Sequence, residues 1–322
     1  MAKILVTGGA GFIGSHLIES LLEDNEVLCI DDFNDFYDPK LKEENLTGVI
    51  NQENFKLIIG DITDSRLVNT VFHKENPEIV IHLAARAGVR PSLEDPWLYE
   101  KVNVSGTLNL LEAAGVTGVK KFIFGSSSSV YGVNSKVPFK EEEPLLNPIS
   151  PYAASKIAGE AYCNTYSYIF GIPLISLRFF TVYGPRQRPD LAIRKFAELM
   201  LKGKEITLFG NGQSARDYTF IDDVIKGIKA SLEYPLKGHE VFNLGNSYPI
   251  KLIELVEMQE KVLGVKAKIK WEEDQLGDVP VTYADLEKSR ELLGYKPGYH
   301  IKDGLQVFAE WMKSQKDNTK LK

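Results

Sequence analysis

The stretch Lys3-Ile4-Leu5-Val6-Thr7-Gly8-Gly9-Ala10-Gly11-Phe12-Ile13-Gly14 passes from a short apolar run directly into a turn with glycines at 8, 11 and 14. An apolar run of this length suits one buried strand. Glycines at those three places allow a tight turn, a close approach of backbone to a pyrophosphate and close helix packing. The helix entered at Ser15 would then offer free amides and the positive end of its dipole to an anion. Such a turn can also be a plain strand–helix connection, and the second strand bears on which it is. Asp31 closes that strand at the distance expected for a carboxylate that accepts from a ribose 2′-hydroxyl and repels a 2′-phosphate. With Asp32 and Asn34 beside it, the set Gly8, Gly11, Phe12, Ile13, Gly14 and Asp31 predicts an NAD site rather than an NADP site.

Outward from this turn, short apolar runs alternate with helical spacing. Strands are expected at 3–7, 26–30, 55–59, 79–83, 121–124 and 174–178, and helices at 15–22, 66–75, 102–114 and 152–168. Regular alternation of this kind implies an α/β fold with a doubly wound parallel (Rossmann) sheet covered on both faces. Beyond about 181 the regularity fades under prolines and glycines. The expected organisation is an NAD-binding domain over 1–178 and a smaller C-terminal α/β substrate domain over 179–322. Within the second, 218–246 reads as a helix and strand that return to the first sheet.

The chain has 322 residues, enough for a large core, and a formal charge of −6 that gives no footprint for nucleic acid or an anionic membrane. Cys29 and Cys163 stand alone, which fits a reducing compartment rather than a disulfide framework. No apolar run is long enough to span a bilayer, and the N-terminus enters strand-like sequence without a signal peptide. A cytoplasmic small-molecule enzyme is expected. The five histidines are scattered without ligand spacing, so no catalytic metal is predicted.

Two further motifs carry chemistry. In Pro151-Tyr152-Ala153-Ala154-Ser155-Lys156, Tyr152 and Lys156 fall four apart on one helix face. A phenol with a pKa of about 10 is a poor base at neutral pH. An ammonium about 4 Å away could lower it by roughly 3 units, which makes the pair a candidate general base. A Tyr and a Lys at this spacing are more often simply a helix face, and their setting decides. Gly125-Ser126-Ser127-Ser128-Ser129 follows a strand end, where ligands of open parallel sheets bind.

Taken together, Gly8–Gly14, Asp31, the Ser127 strand end and Tyr152/Lys156 resemble the extended short-chain dehydrogenase/reductase family, and more narrowly its nucleotide-sugar 4-epimerases, over nearly the whole chain. The resemblance implies that Asp61, Ile62, Leu83, Ala84 and Ala85 contact the dinucleotide. It also implies that Arg216-Asp217-Tyr218 and Gly277-Asp278-Val279-Pro280 belong to the sugar-nucleotide segments. The implied roles are Tyr152 as base toward the sugar 4-hydroxyl, Ser127 as partner of the reacting oxygen, and Lys156 as the group that lowers the tyrosine pKa and holds the nicotinamide ribose. UDP as the nucleotide and a homodimer built on the helices at 102–114 and 152–168 are likewise implied.

Related dehydratases carry an Asp-Glu pair where this chain has Ser128-Ser129, and related uronate decarboxylases carry Glu at Ser129. Epimerisation needs neither acid. Thr181 stands where epimerases of neutral hexoses carry Asn. The run from Arg178 to Asp190, and Asp35-Phe36-Tyr37-Asp38-Pro39, resemble UDP-glucuronate 4-epimerases. Ser127, Ser128 and Thr181 with the Arg188 guanidinium could meet a hexuronate carboxylate, and an acid at Ser129 would repel it. Arg188 could equally be a phosphate clamp or a surface residue; Arg90 is a further substrate candidate.

Two departures from the hexose enzymes are Gln275, where they bind diphosphate with Arg and which shifts anion load toward Arg216, and the small Thr282 in place of a bulky Tyr. Room at Thr282 suits glucuronate and also an N-acetylhexosamine. UDP-N-acetylglucosamine or UDP-glucose epimerisation, an NAD-dependent oxidoreductase releasing a keto sugar, and a non-catalytic NAD sensor stay as alternatives.

Overall fold

The computed structural model describes residues 1–133, 136–273 and 279–320 of the chain. Its strands, in chain order, are β1 (Lys3–Thr7), β2 (Glu26–Asp31), β3 (Phe55–Ile59), β4 (Ile79–His82), β5 (Lys121–Ser127), β6 (Leu174–Phe179), β7 (Thr181–Tyr183), β8 (Glu205–Phe209), β9 (Ala215–Phe220), β10 (His239–Leu244), β11 (Pro249–Lys251), β12 (Lys268–Glu272) and β13 (Val281–Thr282). Seven of them form one sheet in the order β10-β6-β5-β4-β1-β2-β3. Every pairing in that sheet is parallel. Parallel strands need crossovers that cover both faces, which is why their sequences read as near-continuous apolar runs.

The two faces carry separate cores. On one, Leu17 and Ile18 of the Phe12–Leu21 helix and Val224 and Ile228 of the Ile221–Glu233 helix join Val6, Val27 and Ile81. On the other, Val68, Phe72, Leu110, Leu111 and Cys163 pack over Leu5, Leu28, Val80 and Phe122. Strand order reverses between β1 and β4. That switch point leaves a crevice at the carboxyl ends, and Gly8 and Ala84 flank it.

β5 runs on to Ser127, three residues past the expected end, because its ladder with β6 continues to the pair Ser127↔Phe179. The helix expected at 102–114 opens as a π-helical turn, Glu100–Ser105, and becomes α-helical only over Gly106–Thr117. The strand at 239–244 adds to the edge of the main sheet beside β6. Beyond β6, the central strand β9 pairs with β7, β11 and β13, and β8 pairs with β12. Among the described residues no helix is long and apolar enough to cross a membrane.

Candidate active site

A cavity of about 480 Å³ opens along the carboxyl ends of the main sheet. Its lining gathers Gly8, Gly11, Phe12, Ile13, Gly14, Asp31, Asp32, Asn34, Asp61, Ile62, Leu83, Ala84 and Ala85 at one end, and Ser127, Ser128, Ser129, Tyr152, Lys156, Thr181 and Arg188 at the other. The fold therefore brings every predicted dinucleotide residue together with the predicted reacting groups. Arg90, Arg216 and Thr282 lie outside this lining. The Arg90 guanidinium stacks over the Phe209 ring at 4.8 Å, while Arg216 and Thr282 face each other across β9 and β13. Gln275 and Asp278 fall outside the described residues.

The glycine turn is a cradle that only glycine fits. A Cβ on Gly14 would lie 2.3 Å from the Gly8 carbonyl oxygen, and one on Gly8, whose φ is +70°, 2.7 Å from the Ala84 nitrogen. Gly11 caps the following helix with no side-chain hydrogen bond, so the first-turn amides are left for a ligand. Asp31 is almost fully buried and accepts from the amides of Ala10 (3.0 Å) and Phe33 (2.9 Å). Burial raises its pKa, and Lys42, 3.9 Å away, opposes that shift. An uncapped helix N-terminus on a glycine cradle, with a carboxylate one strand over, fits a diphosphate and a ribose diol.

A chain of hydrogen bonds ties this cradle to the catalytic helix. The Ala84 amide donates to Thr7 Oγ1 (3.2 Å), which in turn pairs with His82 Nδ1 (2.7 Å). His82 Nε2 meets Thr107 Oγ1 at 2.9 Å. Because the Thr107 hydroxyl donates to the Asn103 carbonyl (2.6 Å), it must accept from His82, which fixes the neutral Nε2–H tautomer. Burial, with Lys156 adding in the same direction, pushes the His82 pKa down to about 3. Asn103, aimed by the π-helical turn, accepts from the Arg86 amide (2.7 Å) and donates to Ser155 Oγ (2.9 Å).

The Pro151–Phe170 helix is set by Ser150, which accepts from the Ala153 amide, and by Pro151 in its first turn. Gly159 lets it approach the sheet: a Cβ there would meet Phe124 at 2.4 Å. Tyr152 and Lys156 both line the cavity. Lys156 Nζ donates to the Gly125 carbonyl at 2.7 Å and lies 4.9 Å from the centre of the Phe124 ring. Burial brings the Lys156 pKa down to about 8, against the opposing pulls of Cys163 and Glu160.

Burial dominates and raises the Tyr152 pKa; the groups that oppose it are the Ser127 hydroxyl and the Arg188 charge. The i,i+4 rule places two side chains on one face and does not fix where a flexible four-carbon stem points.

Sequence reasoning missed Lys42 and marked Phe36 only as part of the Asp35–Pro39 segment. Lys42 sits in a polar helix, Pro39–Leu46, yet is 4% exposed, with Nζ 3.0 Å from the Asn34 carbonyl. Phe36 lies under Arg188, 5.2 Å from its guanidinium carbon. Nothing in local patterning marks Lys42. Glu160 and Arg178 were also unforeseen as a pair. They form a buried bidentate bridge (2.9 and 2.8 Å) that joins the catalytic helix to β6, with Ser126 Oγ donating to the same carboxylate (2.5 Å).

Comparison with known proteins agrees with this geometry. The model of the GDP-mannose 4,6 dehydratase family matches residues 5–308. A UDP-glucuronate 4-epimerase of Thermodesulfobacterium geofontis is 44% identical over 97% of this chain and 97% of its own length. The crystal structure of UDP-glucuronic acid 4-epimerase from Bacillus cereus, in complex with UDP-glucuronic acid and NAD, superposes with a TM-score of 0.91 at 38% identity, covering 97% of this chain and 99% of that one. UDP-glucose 4-epimerase from Thermotoga maritima gives a TM-score of 0.90 at 34% identity over 97% of this chain and 99% of that one. The chain belongs to the GDP-mannose 4,6 dehydratase family, among the nucleotide-sugar epimerases of the extended short-chain dehydrogenase/reductase type. These relatives include enzymes named for an acidic and for a neutral sugar, so the substrate has to be argued from the site.

Proposed function

We propose that the protein is an NAD-dependent 4-epimerase that interconverts UDP-glucuronate and UDP-galacturonate. The observation that carries this reading is the composition of the Tyr152 end of the cavity. Three hydroxyls (Ser127, Ser128 and Thr181) and the Arg188 guanidinium face the reacting groups there. The carboxylates in the described lining, Asp31, Asp32 and Asp61, all belong to the dinucleotide end. A hexuronate carboxylate thus meets donors and a cation, and the described lining places no acid at this end to eliminate water.

Tyr152 takes the proton of the sugar 4-hydroxyl and later returns it, with Ser127 hydrogen-bonded to the reacting oxygen. Bound NAD would supply the reversible hydride acceptor that inversion at carbon 4 requires. The Arg188 charge favours the phenolate, so the group proposed to meet the sugar carboxylate also assists the base. Lys156, held at the Gly125 carbonyl, lies in the same lining and is assigned to the nicotinamide ribose.

We further place the enzyme in the cytoplasm as a homodimer. In support, both cysteines are free and buried, and Val116, Tyr168 and Ile169 are exposed near the ends of the packed 106–117 and 151–170 helices. The functional test is turnover by protein purified without added cofactor. UDP-glucuronate should be epimerised with no net NADH absorbance, and Tyr152→Phe should lose roughly 10²–10⁴ in rate. A variant that keeps most of its activity would remove Tyr152 as the base.

A further inference from the structure

The Arg188 guanidinium is held on one edge and one face. Nε donates to Asp190 Oδ1 at 3.0 Å and Nη2 to Asp190 Oδ2 at 2.7 Å, a parallel two-bond fork. Its flat face lies over the Phe36 ring. This leaves Nη1 and the outer hydrogen of Nη2 as the donors not used by the fork. Arg188 lines the cavity and Asp190 does not, and the Asp190 side chain is 39% exposed against 17% for Arg188. The carboxylate therefore grips the guanidinium from the solvent side, opposite the cavity.

The loop that carries both residues is held at several points. The Pro185 carbonyl accepts from His16 Nε2 (3.0 Å), and Arg186 Nη2 reaches Glu19 Oε1 (2.6 Å), both on the first helix. Arg186 holds a φ of +62°, a left-handed conformation costly for a non-glycine residue and kept only where its surroundings enforce it. The Gln187 side chain, 1% exposed, donates to the Val182 carbonyl (3.0 Å) and accepts from the Arg194 amide (3.2 Å). A strained loop pinned to the cofactor-binding helix delivers Arg188 to one place.

We infer that Asp190 is a positioning residue for substrate selection: it locks Arg188 so that its remaining donors face the sugar carboxylate, and so favours acidic over neutral UDP-sugars. The inference rests on the proposed uronate specificity. An arginine free to turn would lose rotamer entropy on each binding event; one already forked to Asp190 does not. Asp190 carries negative charge that would repel the substrate if it faced the cavity. Its place outside the lining makes orientation the larger effect.

The test is calorimetric binding in a Tyr152→Phe background, with UDP-glucuronate, UDP-glucose and UDP as ligands, for Asp190, Asp190→Asn and Asp190→Ala. Asp190→Ala should weaken UDP-glucuronate binding roughly tenfold, the scale of one charge-assisted hydrogen bond. UDP and UDP-glucose affinities and bound NAD content should stay at the parent values. Asp190→Asn, which keeps an acceptor for the guanidinium, should recover most of the loss. Equal weakening of UDP would assign Arg188 to the diphosphate and overturn the inference. Unchanged or tighter UDP-glucuronate binding in Asp190→Ala would overturn it too. Failure of the uronate reading itself shows separately, as a parent protein that binds UDP-glucuronate no better than UDP-glucose, and the inference falls with it.

Discussion

Replacing Glu160 by Gln should damage both stability and the pH range of activity. Glu160 and Arg178 have side-chain exposures of 7% and 3%, so the bridge is buried. Arg178 Nη1 also reaches Tyr131 Oη (2.9 Å) and the Glu141 carbonyl (3.2 Å), which tie it to the segment after the serine turn. Neutralising one partner leaves a guanidinium buried without its counter-charge, at a cost of about 3–5 kcal/mol. An unfolding entropy of roughly 2 cal/mol/K per residue over 322 residues turns that into a fall of about 5–8 °C in Tm. Glu160 also favours the charged form of Lys156. Without it the ammonium loses its proton at lower pH, and the alkaline limb of the rate profile should move down. Calorimetric melting and kcat/KM against pH read the two effects, and an Arg178→Gln and double-variant cycle isolates the coupling. A Glu160→Gln protein that melts with the wild type and keeps its pH profile would refute the assigned role of the bridge.

Other expectations follow from the same contacts. Activity of the wild type should fall as pH rises through about 8, where Lys156 deprotonates, as read from a kcat/KM profile. Stability responds in the opposite sense: because the folded pKa lies below the unfolded value, this group's burial penalty is full below pH 8. It is relieved as pH rises toward about 10. Gly14→Ala pushes a Cβ against the Gly8 carbonyl and should yield protein with little bound NAD, measured in the supernatant after heat denaturation. Lys42→Met removes the ammonium that opposes the raised pKa of Asp31, and should weaken NAD retention without changing the rate of enzyme that still holds cofactor.

What could be read from sequence was what is encoded within a few residues. The glycine turn, Asp31 at a strand end and the shared face of Tyr152 and Lys156 are local patterns, and the fold places all of them in one cavity. Contacts between distant segments were not legible. Arg178 reads in sequence as the end of a strand, and only the crossing of β6 with the catalytic helix makes Glu160 its partner. Lys42 carries no local mark, and only packing buries it. Spacing places Tyr152 and Lys156 on one helix face, but the Lys156 bond to the Gly125 carbonyl and the Arg188 charge brought near Tyr152 depend on distant segments. The π-helical turn at Glu100–Ser105 was hidden for a similar reason, since its sequence keeps ordinary helical spacing.

Proton NMR of the purified protein with UDP-glucuronate, and separately with UDP-N-acetylglucosamine and UDP-glucose, tests the central claim directly when no cofactor is added. Selective appearance of the galacto-configured uronate is the predicted result, because it requires both retained NAD and the Thr181–Arg188 carboxylate pocket. Turnover of the neutral sugars alone would contradict the uronate assignment, and no conversion of any of the three would contradict the epimerase itself.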